Sequence, residues 1–403
     1  MSQLELFVDE IDDYLYAAVL NNGSVVDLYI NKPDITRNWA SIYLGKVTKI
    51  DKKLDAAFVD LGNGLTGYLS AKHALIKTPK NTVPRSGIEN MLKGGDMILV
   101  QIKAEGKAGS PNENHKLPRL TVNLNVPGGF LAYNPNYKAI TFSASTNKKH
   151  IPEIETKIKN LPAGGWRVYP SVRRLPEEKV NFEAQYLLST WQHILKQKEE
   201  MGSTPGLIKV GPISLFRALM DYGVLNFEHI YLGNKKIFNI MEAWCSRHIP
   251  ALATSKRLKL FKPEKTGQKL FDIHDIYAEI EQASEKEVFL KCGGTIIIEN
   301  TAAMTIIDVN QGSAQNINDA NFEGAIEAAR QIKIRNLSGM ILIDFISVNK
   351  KSDREKIINI LEKTLTHDIG SAQVHGFTRL GIIEVTRKRR TASLLEKLNK
   401  NIS

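Results

Sequence analysis

The sequence has few cysteines and no long apolar run. Cys245 and Cys292 are the only cysteines among 403 residues, and no CxxC pair occurs, so neither a disulfide framework nor a cysteine zinc site is indicated. No apolar run reaches the ~20 residues of a membrane-spanning helix. The first residues, MSQLELFVDEIDD, lack the basic-then-apolar order of a signal peptide. These absences favour a cytoplasmic protein without a membrane span.

The composition is that of a globular protein with excess positive charge. Hydrophobic residues make up 42% and charged residues 24% of the chain, and its length predicts roughly two to four modules. The net charge of +11 and pI near 9.3 favour a polyanionic partner. Many basic proteins bind nothing specific, so composition alone leaves nucleic-acid binding open.

Residues 303–348 carry the strongest pattern in the chain. Two short apolar segments, AMTIIDVN and MILIDFISV, flank a helical repeat of Ala325, Ala328, Ala329 and Ile332. Strand, helix and strand at this length predict a βαβ unit, which brings the strand ends side by side. Asp308 and Asp344 would then share one edge of a sheet, as hard oxygen ligands suited to Mg²⁺. An aspartate at a strand end is otherwise a common turn or helix cap.

The strings IDVNQG, EAARQIKIRNLSGMILIDFI and GFTRLGIIEVTRKR closely resemble the catalytic half of the ribonuclease E/G family. The resemblance implies that Asp308 and Asp344 hold one catalytic Mg²⁺ and that Asn310 orients Asp308. It also implies hydrolysis of single-stranded RNA by a metal-activated water, leaving a 5′-phosphate and a 3′-hydroxyl. These three residues are the predicted catalytic set.

The fold implied by the resemblance is α+β and multidomain. An S1-type OB-fold barrel is inserted into an RNase H-like subdomain, and a DNase I-like α/β catalytic subdomain follows. The residues agree in part, since NNG at 21–23 predicts a hairpin and short strands over 39–105 predict a small barrel. The predicted modules are residues 1–38 (RNase H-like, first part), 39–120 (S1-type OB-fold), 121–206 (sensor-like), 207–280 (RNase H-like, second part) and 281–403 (catalytic).

The barrel carries the predicted RNA-binding residues. Phe58 and Tyr68 match the two aromatics that stack on RNA bases in the family, although the pattern alone also allows a core role for Phe58. Lys116 and Arg119 match its phosphate-binding basic residues, and Lys103 is a further candidate. A solvated loop charge is the alternative for each of these three, and the register of the 104–118 loop stays open.

The sensor-like module departs from the family pattern. The family has an arginine and a threonine that grip the 5′-monophosphate of RNA, and alignment on Gly165 and Val168 places Tyr169 and Pro170 there. Proline offers neither a hydroxyl nor an amide N–H. Arg167, Arg173 or Arg174 are substitutes with a different geometry, so we predict weak or absent 5′-end sensing.

The last part of the chain shows further departures. Ser347 replaces a second acidic residue of the family's IDFIDM string, which predicts reduced activity at most. Arg387 and Arg389 on the final strand are predicted to line the RNA path. The family's CPxCxG zinc link has no counterpart here, so no zinc is expected. A homodimer without a zinc link is predicted through the apolar face of the last helix, formed by Leu394, Leu395 and Leu398.

Two functions of different classes follow from these residues. The first is a Mg²⁺-dependent endoribonuclease of RNA processing and decay. The second is a catalytically impaired RNA-binding protein of the same fold, favoured by the altered sensor, by Ser347 and by the missing zinc link. Intact Asp308, Asn310 and Asp344 favour the enzyme. A structural ribosome-associated factor is a weaker third reading.

Overall fold

A computed structural model describes residues 3–31, 39–75, 87–106, 116–143, 146–253, 255–265, 267–301, 303–366 and 368–398. The chain divides into two compact units, and each is described by itself. Unit 1 combines Met1–Ile30 with Phe261–Ser403, and unit 2 is Asn31–Leu260. The predicted module boundary at residue 38 and most of the 104–118 loop lie outside the described residues.

The N-terminal segment forms an antiparallel meander of three strands. Asn22 and Gly23 have φ values of 50° and 79°, the pair of positive values that a type I′ hairpin turn requires. The hairpin predicted from NNG is therefore confirmed. The strands are β1 (Leu4–Ile11), β2 (Tyr14–Asn21) and β3 (Ser24–Asn31).

Unit 2 begins with a closed barrel of five strands, which confirms the predicted small barrel. Its strands are β4 (Ile42–Asp51), β5 (Ala56–Asp60), β6 (Thr66–Ser70), β7 (Met97–Ala104) and β8 (Arg119–Thr121), with the short helix α1 (Ala71–Ala74) after β6. The strand order β4-β5-β6-β8-β7 closes because β7 also pairs with β4. The interior is apolar and includes Val47, Val59, Leu69, Val100 and Leu120.

The rest of unit 2 combines a small sheet with several helices. The sheet, in the order β11-β12-β10-β9, is fastened to a long helix by the buried Glu183, which accepts hydrogen bonds from the backbone N–H groups of Gly129, Phe130 and Leu131. The elements are β9 (Val126–Pro127), β10 (Leu131–Asn134), β11 (Ile140–Phe142), α2 (Ile151–Lys157), β12 (Gly165–Val168), α3 (Glu177–Met201), β13 (Gly206–Lys209), α4 (Ser214–Tyr222), β14 (Phe227–Leu232), α5 (Lys235–His248), α6 (Pro250–Ala253) and β15 (Leu258–Leu260).

The C-terminal part of unit 1 is a six-stranded sheet in the order β16-β17-β18-β19-β21-β20. One face packs against α9 and α10 in a single apolar core. The elements are α7 (Leu270–Ile273), α8 (Ile276–Gln282), β16 (Glu287–Phe289), β17 (Thr295–Asn300), β18 (Met304–Asn310), α9 (Ile317–Ile334), β19 (Gly339–Asp344), α10 (Lys351–Thr364), β20 (Gln373–Phe377), β21 (Ile382–Arg387) and α11 (Leu394–Leu398).

Strands β18 and β19 are parallel neighbours joined by α9, so the predicted βαβ unit is confirmed.

The N-terminal hairpin belongs to unit 1 and is bonded to its C-terminal part by two long-range hydrogen bonds. Arg330 Nη1 on α9 donates to the carbonyl of Val25 at 3.1 Å, and Lys397 Nζ on α11 donates to the carbonyl of Ile30 at 2.8 Å. Within the described ranges, no helix is long and apolar enough to cross a membrane.

Candidate active site and nucleic-acid interface

Asp308 and Asp344 are direct register partners on the parallel strands β18 and β19. Register partners on adjacent strands point to the same face of a sheet, and their backbones lie about 4.8 Å apart. Asp344 is the last residue of β19 and is exposed, whereas Asp308 is half-buried. The two carboxylates predicted to meet are therefore side by side at a solvent-accessible place.

The alternation of apolar residues explains why this face is open. Ile307 and Val309 on β18, and Ile341 and Ile343 on β19, are buried against the helices. Because successive side chains of a strand point to opposite faces, the aspartates lie on the face away from α9 and α10. The apolar half of each strand thus orients its acidic residue outward.

Asn310 contacts Asp308 directly. Its Nδ2 donates a hydrogen bond of 3.0 Å to Oδ2 of Asp308, and both side chains lie on the open face two residues apart along β18. This bond engages one of the two carboxylate oxygens of Asp308. The predicted orienting role of Asn310 has the contact that it needs.

The donor set suits a hard divalent cation. The sheet row through the pair reads Ile297, Asp308, Asp344, Ile382, so the immediate strand neighbours of the two acids are isoleucines. Like charges on directly opposite strand positions repel, and a bound cation removes that repulsion. Mg²⁺ takes one or two carboxylates and completes its shell with water and phosphate oxygens. In the described part of the chain, no group of three or more His, Cys, Asp or Glu side chains is arranged around a metal position.

Phe58 and Tyr68 lie on the outer face of the barrel. They are register partners on β5 and β6, and their ring centroids are 6.1 Å apart at an interplanar angle of 74°. Both rings are half-buried, while their neighbours Ala57, Val59 and Leu69 fill the barrel interior. The core alternative for Phe58 is therefore wrong, and the pair presents two aromatic surfaces to solvent.

Basic residues flank the Phe58–Tyr68 pair on the neighbouring strands, and together with the two rings they form what we call the aromatic stripe. Arg119 on β8 is the register partner of Tyr68 and is exposed, as are Lys103 on β7 and Lys116 before β8. Lys103 Nζ lies 3.0 Å from Nε2 of His73. Aromatic faces flanked by cations are the pattern of single-strand binding on OB-folds.

Lys49 is a further member of the stripe that the sequence did not reveal. Its Nζ lies 5.7 Å from the centroid of the Phe58 ring, and Lys49 pairs with Phe58 across β4 and β5. The register shifts between Val47 and Lys49, so simple alternation along β4 does not predict where Lys49 lies. Only the pairing of the strands shows it.

The structure gives Arg387 a role other than the predicted one, whereas the prediction for Arg389 stays untested. Arg387 is only 3% exposed, and its Nε and Nη2 donate to Asp368 at 2.9 and 3.0 Å. Its Nη1 donates to Asn336 and to the carbonyl of Leu337. A buried guanidinium that is bonded in this way is not available to line an RNA path, so the prediction for Arg387 is corrected. Arg389 forms a bidentate pair with Glu396 on α11, at 3.2 and 2.9 Å.

Most of the basic residues near the altered sensor already have protein partners. Arg173 Nη1 lies 2.9 Å from Nδ1 of His150, and Arg174 Nη1 donates to Oδ1 of Asn226 at 3.1 Å. Arg167 is exposed on β12. Pro170 begins a 3-10 helix, Pro170–Arg174, in the wall of a cavity of about 180 Å³ that Arg173 and Arg174 also line.

The last helix does not offer the predicted dimer surface. Leu394 is 2% and Leu395 is 7% exposed within the single chain, because α11 packs on its own unit. Leu394 and Leu395 are already covered and Leu398 is half-buried, so the surface predicted for a homodimer is corrected, while the homodimer itself stays a prediction. Ser347, by contrast, is exposed in the segment after Asp344.

Comparisons with known proteins agree with this geometry. The model of the Ribonuclease E/G family matches residues 125–390. Ribonuclease G of Escherichia coli is 28% identical, over 97% of this chain and 81% of that protein. Ribonuclease G of Haemophilus influenzae is also 28% identical, over 98% and 81%. Ribonuclease E of Escherichia coli is 30% identical over 95% of this chain but only 36% of its own length.

The chain belongs to the ribonuclease E/G family. It is by class an endoribonuclease, a hydrolase of phosphodiester bonds, and the resemblance read from the IDVN and IDFI strings is confirmed.

Proposed function

We propose that this protein is a Mg²⁺-dependent endoribonuclease that cuts single-stranded RNA in RNA processing and decay in the cytoplasm. Hydrolysis would leave a 5′-phosphate and a 3′-hydroxyl. The observation that carries the proposal is the register pairing of Asp308 with Asp344 on the open face of the sheet, together with the bond from Asn310 to Asp308. Family membership supplies the enzyme class.

Each residue of the proposed site has its own role. Asp308 and Asp344 present carboxylate oxygens to one cation, and Asn310 fixes the orientation of Asp308. Bound Mg²⁺ supplies a Lewis acid for the scissile phosphate and lowers the pKa of its water. Phe58 and Tyr68 stack on bases, while Lys103, Lys116 and Arg119 neutralise phosphates.

The architecture proposed for these parts follows the family. The closed five-stranded barrel supports an S1-type OB-fold. Residues 1–38 together with residues 207–280 would form the RNase H-like subdomain, and the six-stranded sheet would be the DNase I-like catalytic subdomain. A homodimer would require a surface other than the covered face of α11, and no zinc is proposed.

The decisive experiment compares cleavage of a fluorescent AU-rich oligonucleotide by wild type, Asp344→Asn and Glu384→Gln. Glu384 is a matched control, because it is an exposed carboxylate on the same face of the sheet, and it pairs with Leu342, two residues before Asp344 on β19. We expect Mg²⁺-dependent cleavage by wild type and Glu384→Gln, and a loss of about 10²–10³-fold in Asp344→Asn, the size typical for removing one electrostatic partner.

The alternative function is an RNA-binding protein of the same fold without turnover. Ser347 and the replaced sensor residues favour it. If wild type and Asp344→Asn bind the oligonucleotide equally and neither cuts it at any Mg²⁺ concentration, the binding protein is the correct reading. Tighter binding to folded ribosomal RNA than to the oligonucleotide would favour the ribosome-associated factor.

A further inference from the structure

One turn of helix α9 contacts the strands of both aspartates. Asn321 and Gly324 are three positions apart and therefore share a face of the helix, and both are buried. A Cβ added to Gly324 would lie 2.8 Å from Cγ1 of Val309, the residue after Asp308. Asn321 reaches Ile346, two residues beyond Asp344.

Asn321 holds the chain at the point where it leaves β19. Its Nδ2 donates to the carbonyl oxygen of Ile346 at 2.7 Å, and its Oδ1 accepts from the N–H of Ile346 at 3.0 Å. These are the two bonds that a neighbouring strand would make. Because the pairing of β19 with both neighbours ends at Asp344, the side-chain amide continues the ladder where the sheet stops.

The environment of Asn321 argues for a geometric role. Its side chain is 1% exposed, on a helix face otherwise formed by small residues such as Ala320, Ala325 and Ala328. A buried amide is unfavourable unless both of its polar groups are paired. Here Nδ2 and Oδ1 of Asn321 both bond to the backbone of Ile346, so the side-chain amide fixes that backbone in one position.

We propose that Asn321 is a positioning residue for the divalent cation at the Asp308–Asp344 pair, and that Gly324 sets the close approach of the same helix to β18. The inference rests on the proposed function, since it names what holds the two carboxylates at the spacing that one ion requires. A displacement of about 1 Å at a reacting group can lower a rate on the order of 10²-fold. If the C-terminal end of β19 were free to fray, Asp344 could be displaced by such a distance.

The test is Mn²⁺ binding to the whole protein without RNA, measured by electron paramagnetic resonance. Asn321→Leu keeps the side-chain size but removes both bonds. The control is Asn316→Ala, which removes the N-cap of the same helix, where Oδ1 accepts from the N–H of Asp319 at 2.8 Å. We expect Asn321→Leu to weaken Mn²⁺ binding about tenfold, as loss of a supporting partner of a ligand does, and to speed hydrogen exchange of the Ile346 amide. Asn316→Ala should lower the Tm but leave the Mn²⁺ Kd unchanged.

The outcomes separate the two proposals. Equal Mn²⁺ Kd values in wild type and Asn321→Leu, or an equal weakening in both variants, would overturn the positioning role even if wild type cuts RNA. A wild type whose Mn²⁺ binding depends on Asn321 but which cuts nothing would overturn the proposed function alone, and a wild type that binds no Mn²⁺ would overturn both. If Asn321→Leu does not fold, Gly324→Ala replaces it, because the clash with Val309 displaces β18; an unchanged Kd would again refute the inference.

Discussion

Asn310 Nδ2 lies 3.0 Å from Oδ2 of Asp308 and donates a hydrogen bond to it. Removing the amide in Asn310→Ala frees the carboxylate to rotate away from Asp344. We expect cleavage to fall about 10–100-fold, the usual effect of removing a partner that orients a metal ligand, and the Mg²⁺ concentration for half-maximal rate to rise. Thr295→Ala is the control, since Thr295 is the strand partner of Asn310 and no hydrogen bond joins its side chain to either aspartate. Equal losses in the two variants would contradict an orienting role.

Substitution of Phe58 or Tyr68 on the barrel is predicted to lower the affinity for RNA without lowering the stability of the protein. Phe58→Ala and Tyr68→Ala should each weaken oligonucleotide binding by about 1–3 kcal/mol, the contribution of one base stacked on an aromatic ring. Tyr68→Phe should bind as wild type does, because the ring is kept. Fluorescence anisotropy measures the Kd. Leu54→Ala serves as the control, because Leu54 is a 56% exposed apolar residue in the turn between β4 and β5; a similar loss there would argue against stacking.

The two arginines Arg387 and Arg119 predict opposite phenotypes. Arg387→Ala leaves the buried carboxylate of Asp368 without its cation, so the free energy of unfolding should fall by about 3–5 kcal/mol. Arg119→Ala is exposed and should leave stability within about 0.5 kcal/mol. It should instead reduce the salt dependence of RNA binding by roughly 0.7 in the slope of log K against log salt. Urea denaturation and anisotropy at several salt concentrations measure both. A stable Arg387→Ala with weakened RNA binding would restore the original prediction for that residue.

The sensor region predicts indifference to the RNA 5′ end. Tyr169 and Pro170 stand where the family has an arginine and a threonine, Arg173 and Arg174 are bonded to His150 and Asn226, and the exposed Arg167 has a different position in the chain. We expect 5′-phosphorylated and 5′-hydroxyl forms of one oligonucleotide to be cut at equal rates. A preference for the phosphate that disappears in Arg173→Ala would assign sensing to the cavity beside Pro170.

The state of the thiols predicts independence from zinc. Burial raises the pKa of Cys245 to about 12 and also raises the pKa of Cys292, so neither thiol is an activated thiolate, and no CxxC pair places two cysteines beside one ion. A chelator selective for Zn²⁺ should leave the mass from light scattering unchanged. Iodoacetamide at pH 8 should leave Cys245 unmodified in the native protein. Dissociation on chelation would show a zinc-dependent assembly.

The βαβ unit that carries the two aspartates was predictable from the sequence because its signals are local. β-Branched runs that each end in an aspartate, separated by a helical repeat, have few other solutions than a βαβ unit. The barrel was predictable for a similar reason, as short strands and turns alternate along it. Arg387 was predictable too, since alternation along β21 puts it on the same face as Ile383 and Val385, which are buried. The positive charge of Arg387 suggests a surface position, but the alternation of buried residues along β21 outweighs it.

Other features depend on contacts that no local pattern encodes. In the sequence Asn321 is an ordinary helix residue, and only the structure shows its contact with Ile346, 25 positions away. The position of Lys49 depends on a register shift in β4, and the burial of Leu394 and Leu395 depends on how α11 packs on its unit. Side-chain hydrogen bonds across long sequence separations, bulges and helix docking are set by tertiary structure, so a single sequence does not reveal them.

The division of the chain has a consequence for the order of assembly during synthesis. The hairpin that ends at Ile30 leaves the ribosome first, but Arg330 and Lys397, which bond to it, are made after the whole of residues 31–260. At roughly 5–20 residues per second, Arg330 and Lys397 follow the hairpin by tens of seconds, after unit 2 has been synthesised. The barrel that we propose to bind RNA is therefore synthesised before Asp308 and Asp344 exist as a register pair.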